Sequence, residues 1–226
     1  MIRARAGPRS AGAQLRRAWR GDVPSIARAA ILGIAGALGT ACGSEPTAPP
    51  AGCTGYPSQA SSLYALPYPV GESFQVVQGN CTARAGATHA AGGPFEYAYD
   101  FGMQIGTPVL AARAGTVAAV EGRYTDGNRV GGQENYVFVR HHDGSIGRYY
   151  HLTQGGPLVV VGAAVERGAL LGLSGDTGNS RGPHLHFDVA ACPAVGCATR
   201  PVTFRNTVPH PAGLEPGASY LAEPWQ

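Results

Sequence analysis

Histidine and aspartate at short, regular spacings are the residues of this chain best placed to do chemistry. His184-Leu185-His186-Phe187-Asp188-Val189 sets two imidazoles two positions apart. In a strand, alternate side chains share a face, so His184 and His186 project together while Leu185, Phe187 and Val189 turn to a core. Two imidazoles on one rigid face suit a metal ligand beside a general acid/base. An isolated His-x-His is as often an ordinary surface strand, so the weight comes from its company. Tyr149 and His151 repeat the spacing, so a strand there puts both on one face and can bring His151 to the same pocket. Asp100 lies in Tyr97-Ala-Tyr-Asp-Phe, among aromatics where an acid is costly to bury unless paired or metal-bound. His89 is the one histidine that precedes Asp100.

A zinc hydrolase needs about three protein ligands and one open position for water. The remaining histidines are weaker candidates. His141 and His142 read as exposed or partly packed strand-end residues before the Asp143-Gly144 turn, and His210 as a solvated tail residue. Arg113, Asn135 and Tyr149 either line a groove or serve the sheet. The cysteines lack Cys-x-x-Cys spacing, which disfavours a thiolate zinc site.

The elements that must position these residues are short strands separated by Gly, Pro, Asn and Asp. Candidates are residues 74–78, 108–112, 115–120, 136–140, 147–152 and 184–190, with a hairpin at Asp143-Gly144. No long amphipathic helix follows residue 43. The expectation is an all-β fold: a compact, sandwich-like antiparallel domain with a groove. Asp176-Thr-Gly-Asn-Ser-Arg-Gly-Pro reads as the loop that delivers the chain into the His184 strand. The domain is placed at 66–205, after a Pro-rich tether at 43–65 and before a Pro/Gly-rich tail at 206–226 that wraps the surface or stays loose.

Seven of the 17 basic residues, all arginine, precede residue 30. From Gly43 onward ten arginines face thirteen acids, a net charge of −3 with no basic run. That argues against nucleic acid as a partner. The thirteen-residue apolar stretch 29–41 is short for a membrane span, which needs about 20 residues, and fits a secretory signal. Residues 1–42 are therefore read as a signal peptide. Its end, Ala41-Cys42-Gly43-Ser44, resembles a lipoprotein cleavage site, with Gly39 where a large aliphatic residue is usual. Cys42 is the candidate lipid anchor, with a cut by ordinary signal peptidase near Ala41 as the alternative, and the location is an exported, cell-envelope one, either periplasmic or membrane-anchored. In an exported chain Cys53, Cys81, Cys192 and Cys197 point to disulfides. Of three pairings, Cys53–Cys81 and Cys192–Cys197 join sequence neighbours and are favoured.

Four stretches in order resemble the lysostaphin/LytM-like zinc metallopeptidases. They are His89 with Tyr97-Ala-Tyr-Asp100-Phe; Gly106-Thr-Pro-Val-Leu-Ala-Ala-Arg-Ala-Gly-Thr-Val; Asn135-x-Val-x-Val-x-His141-x-Asp-Gly leading to Tyr149-x-His151-Leu; and Gly175-x-Thr-Gly-Asn-Ser-x-Gly-Pro-His184-Leu-His186-Phe. They span about residues 74–190. The resemblance implies one Zn²⁺ held by His89, Asp100 and His186, with His151 and His184 as the acid/base pair. It implies an endopeptidase acting on peptidoglycan cross-links or stem peptides through metal-activated water. Ten residues separate His89 from Asp100, against three in shorter members, which predicts a longer loop. Degenerate members of the family activate other wall hydrolases, so the alternative is a non-catalytic envelope module that binds peptidoglycan or activates a partner. A monomer is expected.

Overall fold

The computed structural model describes residues 54–82 and 87–225. Apart from one 3₁₀ turn at Gln59–Ser61, its regular elements are strands. They are β1 (Ser73–Gln78), β2 (Tyr99–Phe101), β3 (Pro108–Leu110), β4 (Gly115–Glu121), β5 (Tyr136–Arg140), β6 (Ile146–Tyr150), β7 (Leu152–Pro157), β8 (Ala164–Val165), β9 (Leu170–Ser174), β10 (Leu185–Ala190) and β11 (Ser219–Leu221). Eight form one sheet in the order β11-β1-β2-β10-β6-β5-β4-β8, and three form a second in the order β3-β9-β7. The paired strands are antiparallel throughout, as the alternating sequence patterns and tight turns predict.

Alternation builds the core. Val137 and Val139 of β5, Tyr149 of β6, and Leu185, Phe187 and Val189 of β10 all face inward from the large sheet. Val109, Leu152 and Leu171 meet them from the small sheet. Each fully buried Leu or Phe contributes about 1.5–3 kcal/mol of transfer free energy. β10 lies between β2 and β6, and all six of its residues are buried. Both its faces are therefore covered, one by the core and one by the site.

The hairpin forms at Asp143-Gly144, where Gly144 has φ +79° and Asp143 accepts from the backbone and hydroxyl of Ser145. The C-terminal segment wraps and pairs. β11 extends the large sheet beside β1, and Leu214 and Tyr220 are buried in the core. At the other end, Tyr64 within the stretch assigned to the tether bridges to Phe204. The Cys192–Cys197 disulfide is present. Cys53, the expected signal and Cys42 lie outside the described residues, and no described helix is long and apolar enough to cross a membrane.

Two histidines depart from expectation. His141 is buried, with Nδ1–H donating to the Ala114 carbonyl at 2.9 Å. His210 is also buried, with Nδ1–H donating to Val208 and Nε2 accepting from the Phe204 amide at 2.8 Å. The His210 ring joins two backbone groups, donating to one and accepting from the other, whereas the His141 ring anchors the Ala114 carbonyl alone.

Candidate metal centre and catalytic site

Asp100 sits in β2 between the core residues Tyr99 and Phe101, so alternation turns it to the opposite face. β2 pairs with β10 in a register that sets His186 directly opposite Asp100. Their closest atoms, His186 Nδ1 and Asp100 Oδ1, lie 3.0 Å apart. His89 comes from the segment before β2. Its backbone carbonyl accepts from the Thr82 amide, and its ring reaches the same point, with Nε2 3.4 Å from Asp100 Oδ1 and 3.2 Å from His186 Nδ1.

The outer hydrogen bonds of these rings fix which nitrogens are free. His89 Nδ1–H donates to the Gly79 carbonyl, and His186 Nε2–H donates to Asp188 Oδ2 at 3.0 Å. The neutral rings therefore present two lone pairs, His89 Nε2 and His186 Nδ1, to each other and to a carboxylate oxygen. Asp100 Oδ1 is buried and makes no hydrogen bond. Three electron-pair donors converging on one point are an arrangement that a cation satisfies. All three ligand atoms lie within 4.8 Å of one another. The donor set fits a transition-metal dication such as zinc.

Burial opposes charge on Asp100, but the neighbouring His89, His186 and His184 outweigh it and hold the carboxyl well below its usual range. Burial drives His89 down to about 4, keeping it neutral. For His186 burial acts in the same direction, yet Asp100 and Asp188 on its two sides prevail and push it up to about 9. A ring that attracts positive charge so strongly between two carboxylates marks the centre of the site.

His184 and His151 flank this cluster. The His184 amide donates to Gly175, and the ring's Nε2 lies 3.7 Å from Asp100 Oδ1. Its Nδ1–H donates to the Gly182 carbonyl at 2.8 Å. His151 Nδ1–H donates to the Thr177 carbonyl at 2.7 Å. The two rings are 4.5 Å apart between centroids, and each keeps Nε2 free as a base. Burial and the neighbouring histidines push His151 down to about 3. One loop, residues 175–184, thus aims both rings. Gly175 packs against the Thr153 backbone where a Cβ would clash, so no side chain fits there. Asn135 braces the other side, its amide donating to Thr177 Oγ1 and its side chain to the Tyr124 and Thr153 carbonyls. Arg129 and Ser180 both donate to Asp176 within the same assembly.

The structure therefore brings His89, Asp100, His151, His184 and His186 together. It separates Tyr149 from them. β6 ends at Tyr150, and His151 has φ +63°, a left-handed corner into β7. That corner breaks the alternation that would put Tyr149 and His151 on one face. Tyr149 instead lies in the core, its hydroxyl accepting from the Ala112 amide. A β-region or αR residue at 151 would carry the ring elsewhere, so the uncommon backbone is what aims it. Arg113 is likewise engaged elsewhere, with Asp143 and the Tyr64 hydroxyl.

Four neighbours were not anticipated. Asp188 holds His186, Arg148 holds Asp188 from directly across on β6, and Tyr150 sits opposite His186 with rings 5.4 Å apart. Phe95, in the long loop after His89, packs edge-on against His186 at 4.9 Å. Asp188 had a signal, because the alternation that pairs His184 with His186 also reaches Asp188. Arg148 and Tyr150 had none, since cross-strand register does not appear in a sequence.

Residues 94–196 match the sequence model of Peptidase family M23. Over 90 residues the chain is 40% identical to the peptidoglycan DD-endopeptidase ShyA of Vibrio cholerae serotype O1, a stretch covering 40% of this chain and 19% of that protein. Over 97 residues it is 41% identical to lysostaphin of Staphylococcus simulans, covering 42% and 18% respectively. The chain spans about a fifth of the length of these curated relatives. Among solved structures it is similar to lysostaphin from Staphylococcus simulans, with a TM-score of 0.43, 28% identity, and 57% and 47% of the two chains covered.

Proposed function

We propose, from the premise that this chain carries a domain of Peptidase family M23, that it is a zinc metalloendopeptidase cutting peptide bonds of bacterial peptidoglycan. The observation that carries this reading is the convergence of three donor atoms, His89 Nε2, His186 Nδ1 and Asp100 Oδ1, beside two further imidazoles. His89, Asp100 and His186 are the ligands in this reading. Zinc so held supplies Lewis acidity, polarising the scissile carbonyl and lowering the pKa of water to about 7.

The chain's own residues do the proton work. His184 and His151, anchored through Nδ1–H, offer Nε2 to the attacking water, orient it and take its proton. Protonated, the same Nε2–H donates to the oxyanion and then to the leaving amine. Water reaches the scissile carbon, the C–N bond breaks, and the amine departs with the proton. Three protein ligands would be the number typical of catalytic rather than structural zinc sites.

The names of the relatives, peptidoglycan DD-endopeptidase and lysostaphin, support a wall peptide as substrate, and such a substrate places the enzyme in the cell envelope. Lipid attachment at Cys42 and a monomeric state belong to the same reading. Attachment is tested by incorporation of labelled palmitate, lost in Cys42→Ser.

The decisive experiment digests isolated peptidoglycan with the purified, zinc-loaded chain, with and without chelator, and identifies products by mass spectrometry. New peptide termini that vanish with chelator are expected, and they name the bond. An intact wall with zinc confirmed in the protein would overturn the endopeptidase reading in favour of a binding or activating module.

A further inference from the structure

Behind His186 lies a second set of buried groups with no place in the proton chemistry. Asp188 is two residues along β10 on the same face, and its side chain is wholly buried. Its Oδ2 accepts from His186 Nε2–H at 3.0 Å. Arg148, opposite it on β6 and also wholly buried, grips both carboxylate oxygens, with Nε to Oδ1 at 2.7 Å and Nη2 to Oδ2 at 3.0 Å. The remaining arm, Nη1, donates to the Ala194 carbonyl at 2.8 Å. Ala194 lies in the short loop closed by the Cys192–Cys197 disulfide. The guanidinium is capped by the rings of Phe95 and Tyr150, at 5.5 and 5.7 Å from their centroids.

A fully buried ion pair is weak evidence for stability, since a well-packed apolar pair of similar volume serves as well or better. Its location suggests its use. His186 lies 3.0 Å from carboxylates on both sides, Asp100 at Nδ1 and Asp188 at Nε2. A neutral imidazole has one proton to give. If it goes to Asp100, Nδ1 loses the lone pair that a ligand needs. If it goes to Asp188, Nδ1 is free. An acceptor rigidly fixed at Nε2 therefore decides whether the ring is a ligand, and it also fixes the ring's rotation.

We infer that Asp188, clamped by Arg148 and through it by the disulfide-closed loop, is a positioning residue that holds His186 with Nδ1 aimed at Asp100 and His89. This rests on the metal reading above. The test uses the full chain with disulfides intact. Zinc affinity is measured by competition with a chromophoric chelator, and the visible absorption of the Co²⁺-substituted protein reports ligand geometry. Two variants are compared with the parent. Asp188→Asn keeps the volume and an acceptor oxygen. The double variant Arg148→Met/Asp188→Leu removes both charges, so no charge is left buried and unpaired. Zinc affinity should fall in the order parent, Asp188→Asn, double variant, the last by about 10- to 100-fold. The cobalt bands should shift in the same order while the urea midpoint of the double variant stays near the parent's. Opening the loop with Cys192→Ser/Cys197→Ser should weaken zinc by a smaller factor. Equal zinc affinity and unchanged cobalt bands across the series would make the pair purely structural and overturn the inference. A parent that takes up no zinc would instead overturn the metal reading itself.

Discussion

The two faces of β10 are built from one six-residue strand and obey different rules. The inner face, Leu185, Phe187 and Val189, buries itself among other apolar side chains. Its contribution is set by area and fit, so many residues of similar volume would serve. The outer face, His186 and Asp188 with His184 just before, is almost equally buried but works through direction. His186 Nε2, Asp188 and His184 Nδ1 each have a specific partner, and rotation of one ring would unmake the site. Burial alone does not separate the core from the candidate site in this molecule; the match of donors to acceptors does.

That contrast can be broken or sharpened experimentally. The largest expected effect is at His186. His186→Ala should abolish both zinc retention and peptide cleavage, read by metal analysis after dialysis and by wall digestion. A variant that kept its zinc would remove His186 from the ligand set. Next is His184→Ala, expected to keep zinc and lose about 10²- to 10⁴-fold in rate. Parent-like turnover would assign the proton work to other residues. On the inner face Phe187→Ala should cost about 3–5 kcal/mol of stability by denaturant unfolding. While folded and saturated with zinc, it should cleave with a rate near the parent's. A large loss of rate at full folding would show that the two faces are not separable.

The smallest effect concerns the buried histidines outside the site. Burial lowers the pKa of both His141 and His210 below the ordinary value of about 6.5. The unfolded chain then binds more protons than the folded one in that region. Stability from these two groups is present above pH about 6.5 and is lost as pH falls below it. The zinc-loaded protein should show a lower urea midpoint at pH 5 than at pH 7, and His210→Gln should flatten part of that slope. An unchanged slope would mean that His210 stays neutral in both states or does not titrate in this range.

Chain order and residue type settled a good deal by themselves. Period-two alternation identified the inward Leu185, Phe187 and Val189 and the shared face of His184 and His186, because side-chain direction in a strand is a local property. Asp143-Gly144 specified its hairpin by the same local logic. The all-β class followed from many short apolar runs between turn residues. The candidate residues His89, Asp100, His151, His184 and His186 could be named from their types and their resemblance to a family.

Tertiary structure decided the rest, because it depends on pairing between distant segments. β2 and β10 are far apart in sequence, and only their register sets Asp100 against His186. The left-handed corner at His151 sent Tyr149 to the core and the imidazole to the site, against the alternation that the local sequence suggested. Burial of His141 and His210 came from chain packed over them, including a C-terminal segment whose Pro/Gly-rich composition gave little sign of β11. Arg148 and Asp188 met because β6 and β10 align them, and nothing in either stretch alone announces the partner. Sequence determines which way each side chain points from its own strand; which atom it meets there is decided by the register and packing of the whole chain.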